Sequence, residues 1–139
     1  GCNTWGIDID QAVITGAQII ANIIGKPDIG FECHDVDNGG PIGFFDTICL
    51  FSVIHHTANI VDNAARISKF CNRIIIECRL TENGAKPVGD GNWIGTTVWN
   101  HKSKEDLISG LEDLFPNFHH VRTLGQGDRD RYIMELVKE

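Results

Sequence analysis

Apolar residues fall along this chain in two rhythms that take turns. Residues 4–9 (TWGIDI) form a short apolar run that ends in acid, which reads as a strand. Asp10 stands where a helix cap is wanted. After it Val13, Ile14, Ala17, Ile20, Ala21 and Ile24 recur every three or four residues, which predicts a helix with one buried face. Gly25 and Pro27 stop that helix. Ile29, Phe31 and Cys33 alternate with polar neighbours, so residues 29–34 read as a second strand. Asp37-Asn38-Gly39-Gly40-Pro41 is turn chemistry, and the gap from 34 to 45 is too short for a helix. Residues 47–54 (TICLFSVI) are almost continuously apolar, the pattern of a strand buried on both faces of a parallel sheet. Ile60, Ala64, Ile67 and Phe70 mark a second helix, and residues 73–78 (RIIIEC) another central strand.

Residues 81–102 break the rhythm. They carry Gly84, Pro87, Gly89, Gly91, Trp93, Gly95 and Trp99 without a period, which predicts a loop that closes over a site as a lid. Ser103 caps a third helix running to about Phe115, with Glu105 and Asp106 in its first turn. Residues 119–124 and 131–137 read as two strands joined through Gly125-Gln126-Gly127-Asp128. Strands and helices alternate, so the expected class is α/β. The sheet should be mostly parallel and flanked by helices, with an antiparallel strand pair at the C-terminus, all in one domain over residues 1–139.

Composition narrows the partners. A chain of 139 residues is long enough for a real core. No run approaches the roughly 20 apolar residues that span a bilayer, so no membrane partner is expected. The net charge of −7 argues weakly against nucleic acid, whose affinity for proteins comes largely from Lys and Arg on phosphates. Cys2, Cys33, Cys49, Cys71 and Cys78 are odd in number and make no Cys-x-x-Cys pair. They read as buried thiols in a reducing compartment, hence a cytoplasmic protein.

In an open α/β sheet, ligands bind beyond the carboxyl ends of the strands. Three predicted strand ends present polar groups: Asp8, then His34-Asp35, then Ser52 with His55 and His56. One carboxylate can accept both hydroxyl hydrogens of a ribose and another the amino hydrogens of an adenine, a pairing that suits an adenosine-containing cofactor. Each residue has a plainer reading. Asp8 and Asp35 can be turn acids, Asp10 is a helix cap before it is a ligand, and the histidines can be structural. No Cys/His spacing supports a metal among His55, His56, His119 and His120. Trp93 and Trp99 either line a substrate pocket or anchor their loop.

The order of these motifs resembles the class I S-adenosylmethionine-dependent methyltransferases, whose sheet is Rossmann-like. Gly6-Ile7-Asp8-Ile9-Asp10 resembles the family's second-strand motif, which implies Asp8 on the ribose hydroxyls and Ile9 against the adenine. Cys33-His34-Asp35-Val36 resembles the third-strand motif, implying Asp35 near the adenine amino group with Val36 beside it. The segment from Phe45-Asp46 to His56 resembles the fourth-strand motif. Its end, at Phe51 and Ser52, would lie beside the methionine part of the cofactor. The likeness covers residues 1–80, and Arg131-Tyr132-Ile133-Met134-Glu135-Leu136 suits the family's closing reversed strand. Gly1-Cys2-Asn3 resembles the middle of the family's glycine-rich cofactor loop, so Gly1 and Asn3 are expected at the cofactor. The strand to Asp8 follows at once, which implies that the first strand and first helix of the fold are absent and the domain is N-terminally incomplete.

The expected activity is methyl transfer from S-adenosylmethionine to a small-molecule acceptor. Alignment of the reacting atoms and exclusion of water carry most of the catalysis. His55 or His56 is the candidate base for an acceptor that must lose a proton, and Trp93 and Trp99 are the candidate acceptor contacts. A likeness of Gly1-Cys2-Asn3 and the fourth-strand motif to tRNA wobble-uridine-modifying relatives keeps a nucleic-acid acceptor open as a lesser reading. An NAD-dependent oxidoreductase would also place an acid after its second strand, and a non-catalytic methyltransferase-like binding subunit is the third possibility.

Overall fold

The structure is a computed structural model that describes residues 3–39, 43–80, 101–127 and 131–139, apart from the side chains of His55 and Arg79. By internal contacts the chain divides into two compact units, Gly1–Gly39 and Gly40–Glu139.

The first unit is a strand–helix–strand. β1 (Trp5–Asp8) and β2 (Gly30–Cys33) pair in parallel, with Trp5 opposite Gly30 and Asp8 opposite Cys33. The Trp5 ring lies over Gly30, where any Cβ would come within 2.2 Å of it. Helix α1 (Gln11–Ile23) connects the strands and starts where the sequence says: Asp10 is extended, and its carboxylate accepts from the Ala12 amide. The predicted apolar face of α1 is corrected. Only Ile14 and Ala21 are buried, while Val13, Ile20 and Ile24 are at least half exposed. Isoleucines also occupy positions 19 and 23, so the helix is apolar around most of its circumference. Two four-residue strands can cover only one narrow stripe of it.

The second unit holds a four-stranded sheet in the order β3-β4-β6-β5. β3 (Phe45–Phe51) runs parallel to β4 (Cys71–Arg79). β6 (Arg131–Lys138) is antiparallel to both β4 and β5 (Phe118–Gly127). Helix α2 (Ile60–Ile67) lies in sequence between β3 and β4, and α3 (Lys104–Leu114) precedes β5. Ser103 caps α3 by accepting from the Asp106 amide, as its sequence predicts. One core joins the sheet and both helices: Leu50, Ile74, Ile76, Met134 and Leu136 from the strands, Ile60, Ala64 and Ile67 from α2, Leu107 and Leu111 from α3. Phe115, just past α3, is fully buried edge-on against Phe118.

The strand expected at 47–54 is β3, and two features of that expectation are corrected. It ends at Phe51, and among the described strands it stands at the edge of its four-stranded sheet and buries one face. Ile48 and Leu50 meet the core, whereas Cys49 and Phe51 point the other way and are exposed. The cysteines follow the same logic. Cys71 and Cys78 are buried in β4 as expected, but Cys33 and Cys49 are exposed, and Cys2 lies outside the described residues. No described helix is long and apolar enough to cross a membrane. Of the predicted lid at 81–102, residues 81–100 with both tryptophans lie outside the described residues.

Candidate functional site

Each unit presents polar groups at its strand ends. In the first, parallel pairing brings the carboxyl ends of β1 and β2 side by side, and the His34 amide donates to the Asp8 carbonyl at 2.9 Å. Asp8 therefore stands next to the turn that holds Asp35. One oxygen of Asp8, Oδ1, accepts from the Asp10 amide at 2.8 Å; Oδ2 has no hydrogen-bond partner among the described residues. Ile9 beside it is 68% exposed, so a carboxylate oxygen and an apolar surface are offered together. The Cys33 thiol donates to the Ile9 carbonyl and ties the two strand ends. Asp35 is more occupied. It caps the short 3-10 turn Val36–Asn38, its Oδ1 accepting from the Asp37 amide at 2.9 Å and its Oδ2 from Asn38 Nδ2 at 2.7 Å. Asp35 thus fills the role of a turn acid. Val36 opens the same turn and is half-buried, and Asn3 lies exposed ahead of β1. The His34 ring stands 4.0 Å from Glu32 by Nδ1, and its Nε2 is buried without a hydrogen-bond partner among the described residues.

In the second unit the carboxyl ends are those of β3 and β4, joined by the start of the reversed β6. Ser52 follows β3 with φ 56, in the left-handed region that side chains disfavour. Its hydroxyl donates to Glu77 Oε2 at 3.0 Å and accepts from Arg131 Nη1 at 3.1 Å. Arg131 Nη1 also donates to Glu77 Oε1 at 2.9 Å. Phe51 is exposed beside this network. The chain then enters the 3-10 turn Ile54–His56, pinned by buried Ile54 and Thr57. His56 lies on that turn, exposed. Partial burial and the nearby Arg131 guanidinium both hold its imidazole below the ordinary histidine value. The side chain of His55 lies outside those described, as do Gly1, Trp93 and Trp99.

Glu77 and Arg131 were not among the residues singled out from sequence. A signal for Glu77 was present: it is an acid at the end of a predicted strand, the criterion that selected Asp8. Arg131 carries no such signal, because only the antiparallel return of β6 delivers it to this end. His119 and His120 are on β5. His119 lies 3.9 Å from Glu139, and the His120 ring lies 3.4 Å from the Thr123 hydroxyl. Among the described residues no group of three or more His, Cys, Asp or Glu could hold a metal ion. A shallow depression of about 350 Å³, lined by Asp46, Thr47, Asn72, Arg73 and Val137, lies at the amino ends of β3 and β4, away from the polar network.

No family model and no curated protein matches the sequence. Solved structures do match. The magnesium protoporphyrin IX methyltransferase ChlM from Synechocystis PCC 6803, with SAH bound, superposes with a TM-score of 0.71 at 19% identity, over 100% of this chain and 65% of that one. The mitomycin 7-O-methyltransferase MmcR gives 0.68 at 15% identity, over 99% of this chain and 42% of that one. The 4+2 cyclase SpnF gives 0.68 at 15% identity, over 99% and 67%. The chain therefore spans from about two fifths to two thirds of these proteins. At such identities the likeness establishes architecture: the chain has the fold of the class I S-adenosylmethionine-dependent methyltransferases.

Proposed function

We propose that the protein binds S-adenosylmethionine and transfers its methyl group to a small-molecule acceptor. The observation that carries this reading is the superposition of the whole chain on methyltransferases, one of them with SAH bound. Local chemistry supports it. The Asp8 Oδ2 oxygen has no partner among the described residues and stands beside exposed Ile9, an arrangement that fits a ribose hydroxyl and the flat face of an adenine. Asp35 and Val36, at the neighbouring strand end, would meet the adenine edge. Gly1 and Asn3 are assigned to the cofactor by their likeness to the glycine-rich loop alone. Phe51 and Ser52 would face the methionine part.

When bound, S-adenosylmethionine supplies an electrophilic methyl group whose transfer leaves a neutral thioether. The chain's own contribution is to hold the reactants in line and to keep water away. For an acceptor that must lose a proton, His56 is the base. Burial and Arg131 lower the proton affinity of its imidazole, which favours the neutral form that a base requires. His55 remains a second candidate from its place in the same turn. The net charge of −7 favours a small acceptor over a nucleic acid.

Calorimetry with S-adenosylhomocysteine and, separately, with NAD tests the cofactor. Wild-type protein should bind the first and not the second; the reverse would make the protein a nicotinamide enzyme. Asp8→Ala should weaken S-adenosylhomocysteine by roughly 1.5–3 kcal/mol, the worth of a hydrogen bond to a charged group. Unchanged affinity would remove Asp8 from the site.

A further inference from the structure

Three residues far apart in sequence meet where β3 and β4 end and β6 begins. Parallel pairing sets Phe51 opposite Glu77, and antiparallel pairing sets Arg131 opposite Arg79. Around the resulting triangle every side is a hydrogen bond: Ser52 to Glu77, Arg131 to Glu77 and Arg131 to Ser52. The ionic side is charge-assisted and anchored on a sheet strand at each end, which makes it more than a chance surface pair. The residue at the apex is the one with unusual backbone. A serine gains nothing intrinsic from φ 56, and such conformations persist where the surroundings over-determine them.

The path of the chain beyond Ser52 depends on that conformation. The left-handed residue turns the chain out of β3 into the 3-10 turn, where the His56 amide donates to the Val53 carbonyl at 2.9 Å. The Thr57 hydroxyl closes on the Ile54 carbonyl at 2.8 Å. Ile54 and Thr57 fix the far end of the turn by burial. The hydrogen bonds of the Ser52 hydroxyl hold its near end.

We propose that Glu77 and Arg131 are positioning residues: they clamp the Ser52 hydroxyl, hold that residue in its left-handed backbone, and so set the turn at 52–57 toward the cofactor. This rests on the proposed function for the cofactor's identity and adds two residues and a task to it. An ordinary ion pair tying β4 to β6 would stabilise the sheet without reference to Ser52, and the two cases separate experimentally.

The test is a double-substitution cycle read by calorimetry with S-adenosylhomocysteine. E77Q keeps the shape of the side chain and removes its charge. It should weaken binding by about tenfold, within the range of coupling seen between residues in one hydrogen-bonded network. S52G removes the hydroxyl but lets the backbone adopt the left-handed conformation freely. Adding E77Q to the S52G background should then cost less than about twofold, since nothing remains to be clamped. An equal cost in both backgrounds overturns the proposal, and so does wild-type affinity in E77Q. If the wild-type protein binds no S-adenosylhomocysteine, the cofactor reading fails by itself, and the clamp is decided by the amide–alpha proton coupling of Ser52. A conversion of Ser52 to negative φ in E77Q supports the clamp, and an unchanged positive φ overturns it.

Discussion

His56 and the four described cysteines show how far a residue's neighbours change its chemistry. Burial lifts the Cys71 thiol to about 11 and raises Cys78 further, with Glu77 adding to the latter. Neither forms thiolate near neutral pH. A maleimide at pH 8 should therefore label the exposed Cys33 and Cys49 in the folded protein, and reach Cys71 and Cys78 only after denaturation. Mass spectrometry of the labelled peptides reads this directly, and rapid labelling of Cys78 in the native state would contradict the packing of β4. For His56, burial first and Arg131 second hold the proton affinity below the ordinary 6.5. The folded state then binds fewer protons at this site than the unfolded state between the two values. His56 thus makes stability fall as pH drops through 6.5, with no further loss below the folded value. An NMR titration of the imidazole should give a midpoint under 6.5, and Arg131→Gln should raise it; a midpoint above 6.5 would mean that the ring is neither desolvated nor close to Arg131. At this scale the sequence displayed the strand-end acids and histidines. It did not display Arg131, which reaches the site only through tertiary pairing, or the exposure of Cys33 and Cys49, which depends on which face of a strand is covered.

Elements were the most legible level, because helix starts are local chemistry. Asp10 and Ser103 each cap the helix they precede, each accepting one backbone amide hydrogen bond. Asp10→Ala should cost about 1 kcal/mol in chemical denaturation, the ordinary worth of a capping side chain. The helix at Ile60, Ala64 and Ile67 buries the face its spacing predicts, because α3 and the sheet lie ready to cover it. The same reasoning overreached at α1 and β3. Periodicity reports which residues can be buried, and burial needs a neighbouring layer. Among the described residues of its own unit α1 has two short strands to pack on, and among the described strands β3 pairs with β4 along one edge. Substitutions should follow the observed burial and not the pattern. Phe115→Ala, at a fully buried ring, should cost about 3–5 kcal/mol. Ile23→Glu, at a position 78% exposed, should stay within about 0.5 kcal/mol of wild type. Urea midpoints at constant slope would measure both. A large loss for Ile23→Glu would mean that this face of α1 is covered in solution.

At the scale of the whole molecule, burial is unevenly shared between the two units. Every member of the main core cluster belongs to residues 40–139, whereas among the described residues of the first unit only Ile14 and Ala21 are buried. A strand pair of four residues each under one helix is marginal on its own, since two-stranded sheets rarely stand alone in water. Yet this unit carries Gly1, Asn3, Asp8, Ile9, Asp35 and Val36, six of the eight proposed cofactor contacts. The segment with the least packing is thus asked to hold the adenosine end of the ligand. Native-state hydrogen exchange should therefore show the amides of β1, α1 and β2 opening at lower free energy than those of β4 and β6, which lie at the centre of the core. On the proposed function, saturating S-adenosylhomocysteine stabilises the folded form and should slow exchange in β1 and in the turn after β2 more than in β6. Slow exchange of β1 without ligand, equal to that of β6, would show that the first unit needs no such support. Ligand protection confined to residues 40–139 would move the adenosine site away from Asp8.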